Sequence, residues 1–162
     1  MEQKNNKIRI LRIISRMNVG GPSKHVVNLA EGMNKLNCET LLISGQPSIS
    51  EGEMFALADN KNFKLKKIEY LKRPISLLND LISFIILVKA IKDFSPDIVH
   101  THTTKAGILG RAAALLCGIP KIYHTYHGHV FKGYFSKLQS CLIIAIERFF
   151  SAFSTKLIAL TP

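Results

Sequence analysis

Four of the six histidines stand in two His-x-His doublets, His100-Thr101-His102 and His127-Gly128-His129, each where a predicted β-strand runs out. Residues two apart on an extended chain share a face, so each doublet presents two imidazoles together. Imidazoles so placed can ligate zinc, carry out acid–base chemistry or hydrogen-bond a polyhydroxylated ligand. A lone histidine is most often a satisfied structural residue. Four at neighbouring strand ends argue for a site.

Two further groups fall at the same predicted edge. Gly20-Gly21-Pro22-Ser23 makes a turn that lets a ligand approach the backbone and aims the free N–H groups of the next helix at it, which suits a phosphate or a sugar oxygen. It lacks the third glycine of a dinucleotide fingerprint and the Gly-Lys-Ser/Thr ending of a Walker loop. Thr103-Thr104-Lys105-Ala106-Gly107 supplies hydroxyls, a cation and helix N–H groups suited to an anion, with Thr103 or Thr104 expected to cap the helix. In that helix Gly107 and Gly110 should allow close packing on the sheet, and Arg111 reads as a surface charge.

Metal-assisted hydrolysis would need a carboxylate as ligand or general base, and residues 98–146 contain none. Asp80, Asp93 and Asp97 are the nearest, and the predicted topology keeps them from the histidine edge. No Asp-x-Asp is present to hold a metal–nucleotide diphosphate. A metal-dependent hydrolase built on the four histidines stays open as one reading. A non-catalytic domain that binds a glycan or a partner chain is another.

The elements that must position these groups alternate along the chain. Strands are predicted at residues 8–15, 39–44, 64–68, 97–101, 121–126 and 156–160. Helices are predicted from Pro22 to about 36, at 51–59, from 73 to 94, at 105–116 and from 136 to about 153. Residues 128–133 form a loop. This order predicts an α/β domain, with a single Rossmann-like, doubly wound, mainly parallel sheet of six or seven strands and helices on both faces. The apolar helix ending at Phe94 is no membrane span, because Asp80, Lys89 and Lys92 confine its uncharged run to residues 81–88, far short of the roughly 20 residues a bilayer requires.

The chain has 162 residues, 47% of them hydrophobic, which suits one domain with a substantial core. The N-terminal residues show no signal-peptide pattern, and Cys38, Cys117 and Cys141 form no disulfide or zinc-ribbon spacing, so a cytoplasmic protein with reduced thiols is expected. The net charge is +11, and after Asp97 the only carboxylate is Glu147, against seven Lys and Arg. Such a field favours phosphates or anionic lipid head groups. No nucleic acid partner is expected, since basic and aromatic residues do not interleave in a binding module. Thr161-Pro162 has the form of a helix start with no helix after it, as if cut from a larger architecture.

Taken together, Arg16-Met17-Asn18-Val19-Gly20-Gly21-Pro22, Pro96-Asp97-Ile98-Val99-His100-Thr101-His102, Lys105-Ala106-Gly107 with Gly110-Arg111, and His124-Thr125-Tyr126-His127-Gly128-His129 resemble the N-terminal domain of family 4 glycosyltransferases. These are retaining enzymes with two Rossmann-like domains, the GT-B fold, and the resemblance spans essentially residues 1–162. It implies an acceptor-side domain whose donor-binding C-terminal domain is missing, so that the chain alone would be inactive. It also implies a nucleotide-sugar donor, a saccharide or lipid-linked acceptor, and no metal cofactor.

Under that resemblance Gly20 and Gly21 would approach the donor diphosphate and sugar. His127 would match the catalytic-site histidine that contacts the transferred sugar. His100 and His102 would line the acceptor side, with Lys105 and His129 as neighbours. Lys61, Lys64, Lys66, Lys67, Lys72 and Arg73, together with the apolar stretch 134–153 flanked by Lys132 and Lys137, make an anionic membrane surface a further candidate partner, contacted peripherally from the inner face.

Overall fold

Alternating apolar runs and amphipathic segments interleave strands with helices along most of the chain, and the sheet formed by the described residues is parallel throughout. The computed structural model describes residues 7–128 and 137–160, with side-chain surroundings from residue 140 onward in the second stretch. His129, the loop beyond Gly128, the first residues of the 134–153 stretch and the Thr161-Pro162 end lie outside the described residues. The order is β1 (Ile8–Ile14), α1 (Gly21–Lys35), β2 (Cys38–Gly45), β3 (Lys64–Ile68), α2 (Leu77–Phe94), β4 (Ile98–His102), α3 (Thr104–Leu116), β5 (Lys121–Tyr126), α4 (Lys137–Ala152) and β6 (Lys156–Ala159).

The strands lie in the order β3-β2-β1-β4-β5-β6, and every neighbouring pair is parallel. Right-handed crossovers then require α1 on one face and the helices after β3 on the other. Leu11, Ile13, Ile43, Val99 and Ile122 accordingly pack under Leu87, Ile91, Ala113 and Ala114 of α2 and α3, and Ile14 and Leu42 pack under Val26 and Val27 of α1. The direction of sheet growth reverses between β1 and β4. In an open α/β sheet the crevice outside the carboxyl ends of two such strands is where ligands bind.

Several local expectations are corrected. Residues 51–59 do not form one helix; they form two short 3-10 turns, Ile49–Glu51 and Phe55–Ala58. Gly52 at φ 63° breaks the run, Glu53 bridges to Asn18, and Glu51 is drawn into a capping box with Ser48. β4 begins and ends one residue later than predicted, because Asp97 is spent outside the ladder, its carboxylate accepting from the Arg9 N–H at 2.8 Å. That shift brings His102 into the strand.

Neither Thr103 nor Thr104 caps α3. The cap comes from across the sheet, where Ser15 Oγ accepts the Ala106 N–H at 3.0 Å and pairs with Thr103 Oγ1 at 2.6 Å. Thr103 sits at φ 65°, ψ 158°, a conformation nearly reserved for glycine and costing about 1–3 kcal/mol.

Gly107 and Gly110 do seat α3 directly on the sheet. A Cβ at Gly107 would stand 2.6 Å from His124 Cε1, and one at Gly110 would stand 2.7 Å from Thr101 Cγ2 and 2.9 Å from Ile13 Cδ1. Alanine is the better helix former by about 1 kcal/mol, but here overpacking outweighs propensity. Gly110→Ala is expected to lower unfolding free energy by about 1–3 kcal/mol in urea titration; an unchanged or raised midpoint would mean that α3 does not sit this close.

Candidate functional site

Alternation along β4 and β5 sorts their side chains between two faces, and that sorting decides which histidines meet. His100 and His102 share the α1 face with Thr125 and His127, while Thr101, His124 and Tyr126 face α3. On the α1 face His102 Nδ1 and His127 Nε2 are hydrogen-bonded at 3.1 Å. His25, from the opening turns of α1, stands edge-on to both, with ring centroids 5.9 Å from His102 and 5.1 Å from His127. Pro22 in the first turn of α1 starts the helix beside Gly20 and Gly21, so the glycine bend and the imidazoles converge on one rim.

The bend itself is open. Gly20 is extended, at φ 160° and ψ 174°, and a Cβ at Gly21 would meet nothing within 4 Å. No side chain caps α1 and no acid stands in its first turn, so its leading N–H groups and dipole are directed at the crevice. The Ser23 hydroxyl is turned away, donating to the Asn18 carbonyl at 2.6 Å.

His100 lies below the rim. It is 4% exposed, and both ring nitrogens are engaged, Nδ1 with the Arg12 guanidinium at 2.7 Å and Nε2 with Thr125 Oγ1 at 2.8 Å. His102 is buried as well, at 0% exposure, so both support the site from beneath and do not line it; half-buried His25 and His127 are the described histidines that reach the rim. Lys105 is also engaged, its ammonium donating to the Asp80 carboxylate at 2.6 Å and to the Pro74 carbonyl. The corner of hydroxyls, cation and N–H groups at α3 is thus closed by Ser15, Asp80 and Pro74.

Asp80 was expected away from this edge. It stands at the edge, in the first turn of α2, but on the face opposite the imidazoles. Among the described residues, the group that could hold a metal is His25, His102 and His127, with no carboxylate in it. The catalytic base that metal-assisted hydrolysis would require is missing from that group.

Two residues escaped the sequence reading. His25 is three residues past Pro22, and its signal was that a proline-started helix points its first turns at the same edge as the strand ends. Arg12 is buried at 2% exposure; its signal was its place inside a strand covered on both faces. Arg111, expected at the surface, is 1% exposed and bonds Glu147 at 2.7 Å, and Glu147 also accepts from the Tyr126 hydroxyl at 2.8 Å. The last carboxylate of the sequence is therefore consumed inside the domain.

Burial holds the imidazoles neutral. Desolvation, with Arg12 and neighbouring rings adding to it, lowers His100 to about 3 and His102 well below its ordinary range. Desolvation also lowers His124 to about 3, His127 to about 4, and His25 to a smaller extent. At neutral pH each ring offers one donor and one acceptor and no charge.

An open α/β sheet with a glycine bend, a helix without a side-chain cap and neutral imidazoles at its reversal point defines a Rossmann-like domain. The chain belongs to Glycosyltransferase Family 4, whose family model matches residues 19–162. It is similar to the Escherichia coli UDP-Gal:alpha-D-GlcNAc-diphosphoundecaprenol alpha-1,3-galactosyltransferase, 44% identical over 88 residues that make up 54% of this chain and 23% of that protein.

Among solved structures, 96% of the chain superposes on 37% of a glycosyltransferase from Rickettsia africae at TM-score 0.67 and 17% identity. The same share superposes on 42% of MurG from Acinetobacter baumannii at TM-score 0.66 and 15% identity. A UDP-GlcNAc 2-epimerase from Neisseria meningitidis, bound to UDP-GlcNAc, matches over 94% of this chain and 40% of its own at TM-score 0.63 and 18% identity. The chain thus spans less than half of each of these proteins. The family and the parallel α/β fold expected from the sequence are both borne out.

The neutral rings carry a pH signature. In the unfolded chain histidine titrates near 6.5, so His100 and His124, depressed to about 3 in the fold, bind protons more readily when unfolded. Stability is therefore full above about pH 6.5 and declines as pH falls toward 3, with a slope approaching about 1.4 kcal/mol per pH unit for each ring. Urea unfolding followed across that window checks this; a flat profile would mean that these rings charge within the fold.

Proposed function

We propose that this domain forms the acceptor-side wall of an active site that transfers a sugar, with retention, from a nucleotide sugar to a saccharide or lipid-linked acceptor, and that it needs a donor-binding domain to turn over. The observation that carries this reading is the convergence of the open Gly20-Gly21 bend and the neutral His25–His102–His127 cluster at the reversal point of the sheet. N–H groups of α1 suit a departing diphosphate, and an uncharged His127 suits a sugar hydroxyl, donating or accepting one hydrogen bond. Catalysis of this kind works by positioning and by stabilising charge as the anomeric C–O bond breaks. It requires no metal.

The diphosphoundecaprenol named for the Escherichia coli relative supports a lipid-diphosphate acceptor. No helix among the described residues is long and apolar enough to cross a membrane. The start of α2 and the turn before it nevertheless leave Leu77 88% and Ile75 77% exposed, with Leu78, Leu81 and Ile85 exposed as well, beside exposed Lys72 and Arg73. An apolar ridge with a basic border fits insertion among anionic head groups. The basic run is less free than the sequence suggested, since Lys61 pairs with Glu31 and Lys67 lies over the Phe55 ring.

Two experiments test the reading. In a chimaera where this domain replaces the matching part of the Escherichia coli galactosyltransferase, His127→Ala is expected to lower kcat by about 10²-fold with the KM for acceptor little changed; undiminished transfer would remove His127 from the active site. In vesicle flotation, the double variant Leu77→Ser, Leu78→Ser is expected to lose most binding to phosphatidylglycerol-containing vesicles, with wild-type binding weakened by salt. Equal flotation of variant and wild type would place membrane contact elsewhere.

A further inference from the structure

The cluster of His25, His102 and His127 has a second capability that sugar handling does not use. One ring nitrogen from each lies within 4.8 Å of the others. Around a tetrahedral zinc with bonds of about 2.0–2.1 Å, ligand nitrogens stand about 3.3 Å apart, and His102 Nδ1 and His127 Nε2 are already at 3.1 Å. The third nitrogen has at most about 1.5 Å to close for that geometry, within reach of a ring rotation of half-buried His25 on its helix.

We infer that His25, His102 and His127 form a three-histidine site for a divalent transition-metal ion of the zinc type, with a fourth position open to water. Three neutral imidazoles leave the ion its full charge, and no carboxylate stands in the cluster, so the site suits zinc, copper or nickel and disfavours magnesium and calcium, which require oxygen ligands. The buried Arg12 guanidinium, bonded to His100 beneath, opposes cation binding and sets the affinity below that of an all-protein structural zinc site. The ion is not part of the transfer chemistry. It would occupy the His127 nitrogen offered to the sugar and so act as a reversible blocker of the groove. The site itself stands on the geometry of the three rings, whatever the groove binds.

Untagged protein of residues 1–162 titrated with cobalt(II), and with zinc in competition against a chromophoric chelator, tests this directly. The expected result is one ion per chain, with tetrahedral cobalt d–d bands and no thiolate-to-cobalt charge transfer. His25→Ala and His127→Ala should each weaken binding by about tenfold or more, as loss of a ligand must cost at least what loss of an outer-shell partner does. Cys141→Ser, which removes the exposed thiol, should leave binding unchanged.

Far-ultraviolet circular dichroism and urea midpoints identify any variant that fails to fold, and His25→Gln, at a half-buried helix position, provides a milder replacement for His25→Ala. Absence of stoichiometric binding, a thiolate band, or affinity unaltered in the folded His25 and His127 variants would overturn the site. None of these results depends on glycosyl transfer.

Discussion

The seam between β1 and β4 is the constraint on which the rest of the domain depends. At this line the sheet changes its direction of growth, so no helix crosses it at the carboxyl edge and a crevice is left. The seam is closed by a few polar bonds. Ser15 accepts the Ala106 N–H, pairs with the Thr103 hydroxyl and offers its own N–H to the same oxygen at 3.3 Å. Those bonds hold Thr103 in a backbone region that threonine rarely occupies and fix where α3 begins. The start of α3 in turn sets Gly107 over His124 and Gly110 over Thr101. Strain at one residue is thus balanced by hydrogen bonds drawn from two strands and a helix.

Charge is partitioned by the two faces of the sheet. Beneath α3, Arg111, Glu147 and Tyr126 form a buried ionic group, reinforced by the Arg111 Nε–H donating to the Gly107 carbonyl at 2.8 Å. Losing one partner of such a group would strand a charge in the interior. Beneath α1, the only buried charge among the described residues is on Arg12, whose own value burial pulls down to about 10, and the imidazoles around it stay neutral. The crevice therefore offers donors and acceptors without acid. That chemistry suits hydroxyl-rich and anionic ligands, and it is also that of a nitrogen-ligand metal site.

Helix α2 shows how one element can serve the core and the surface in sequence. Its second half buries Leu87, Ala90, Ile91 and Phe94, while its first half leaves Leu77, Leu78, Leu81 and Ile85 exposed. The sheet ends before the helix does, so the first turns extend past the carboxyl edge with nothing described against their apolar side. Asp80 and Lys105 anchor that projection to α3.

Much of this was legible in the sequence, because the signals are local. Apolar or alternating runs between turn residues marked most of the strands, Pro22 and Pro96 marked helix boundaries, and the glycines of α3 announced close packing. The doublet spacing correctly put His100 and His102 on one face. Apart from the 51–59 helix, broken locally at Gly52, what failed were inferences requiring a partner distant in sequence. Thr103 looked like a cap until Ser15, 88 residues earlier, took that role, and Arg111 looked exposed until Glu147 covered it. His25 belonged to no motif and joins the site only because the opening turns of α1 stand beside the carboxyl end of β4. The sequence by itself determined the layered α/β architecture and the edge at which the glycine bend and the strand-end histidines meet, since both follow from periodicity and chain order. Which histidine lies at the surface, which is buried beneath it, and which cations are already paired was decided only by tertiary structure, because hydrogen bonding and desolvation depend on neighbours that chain order does not specify.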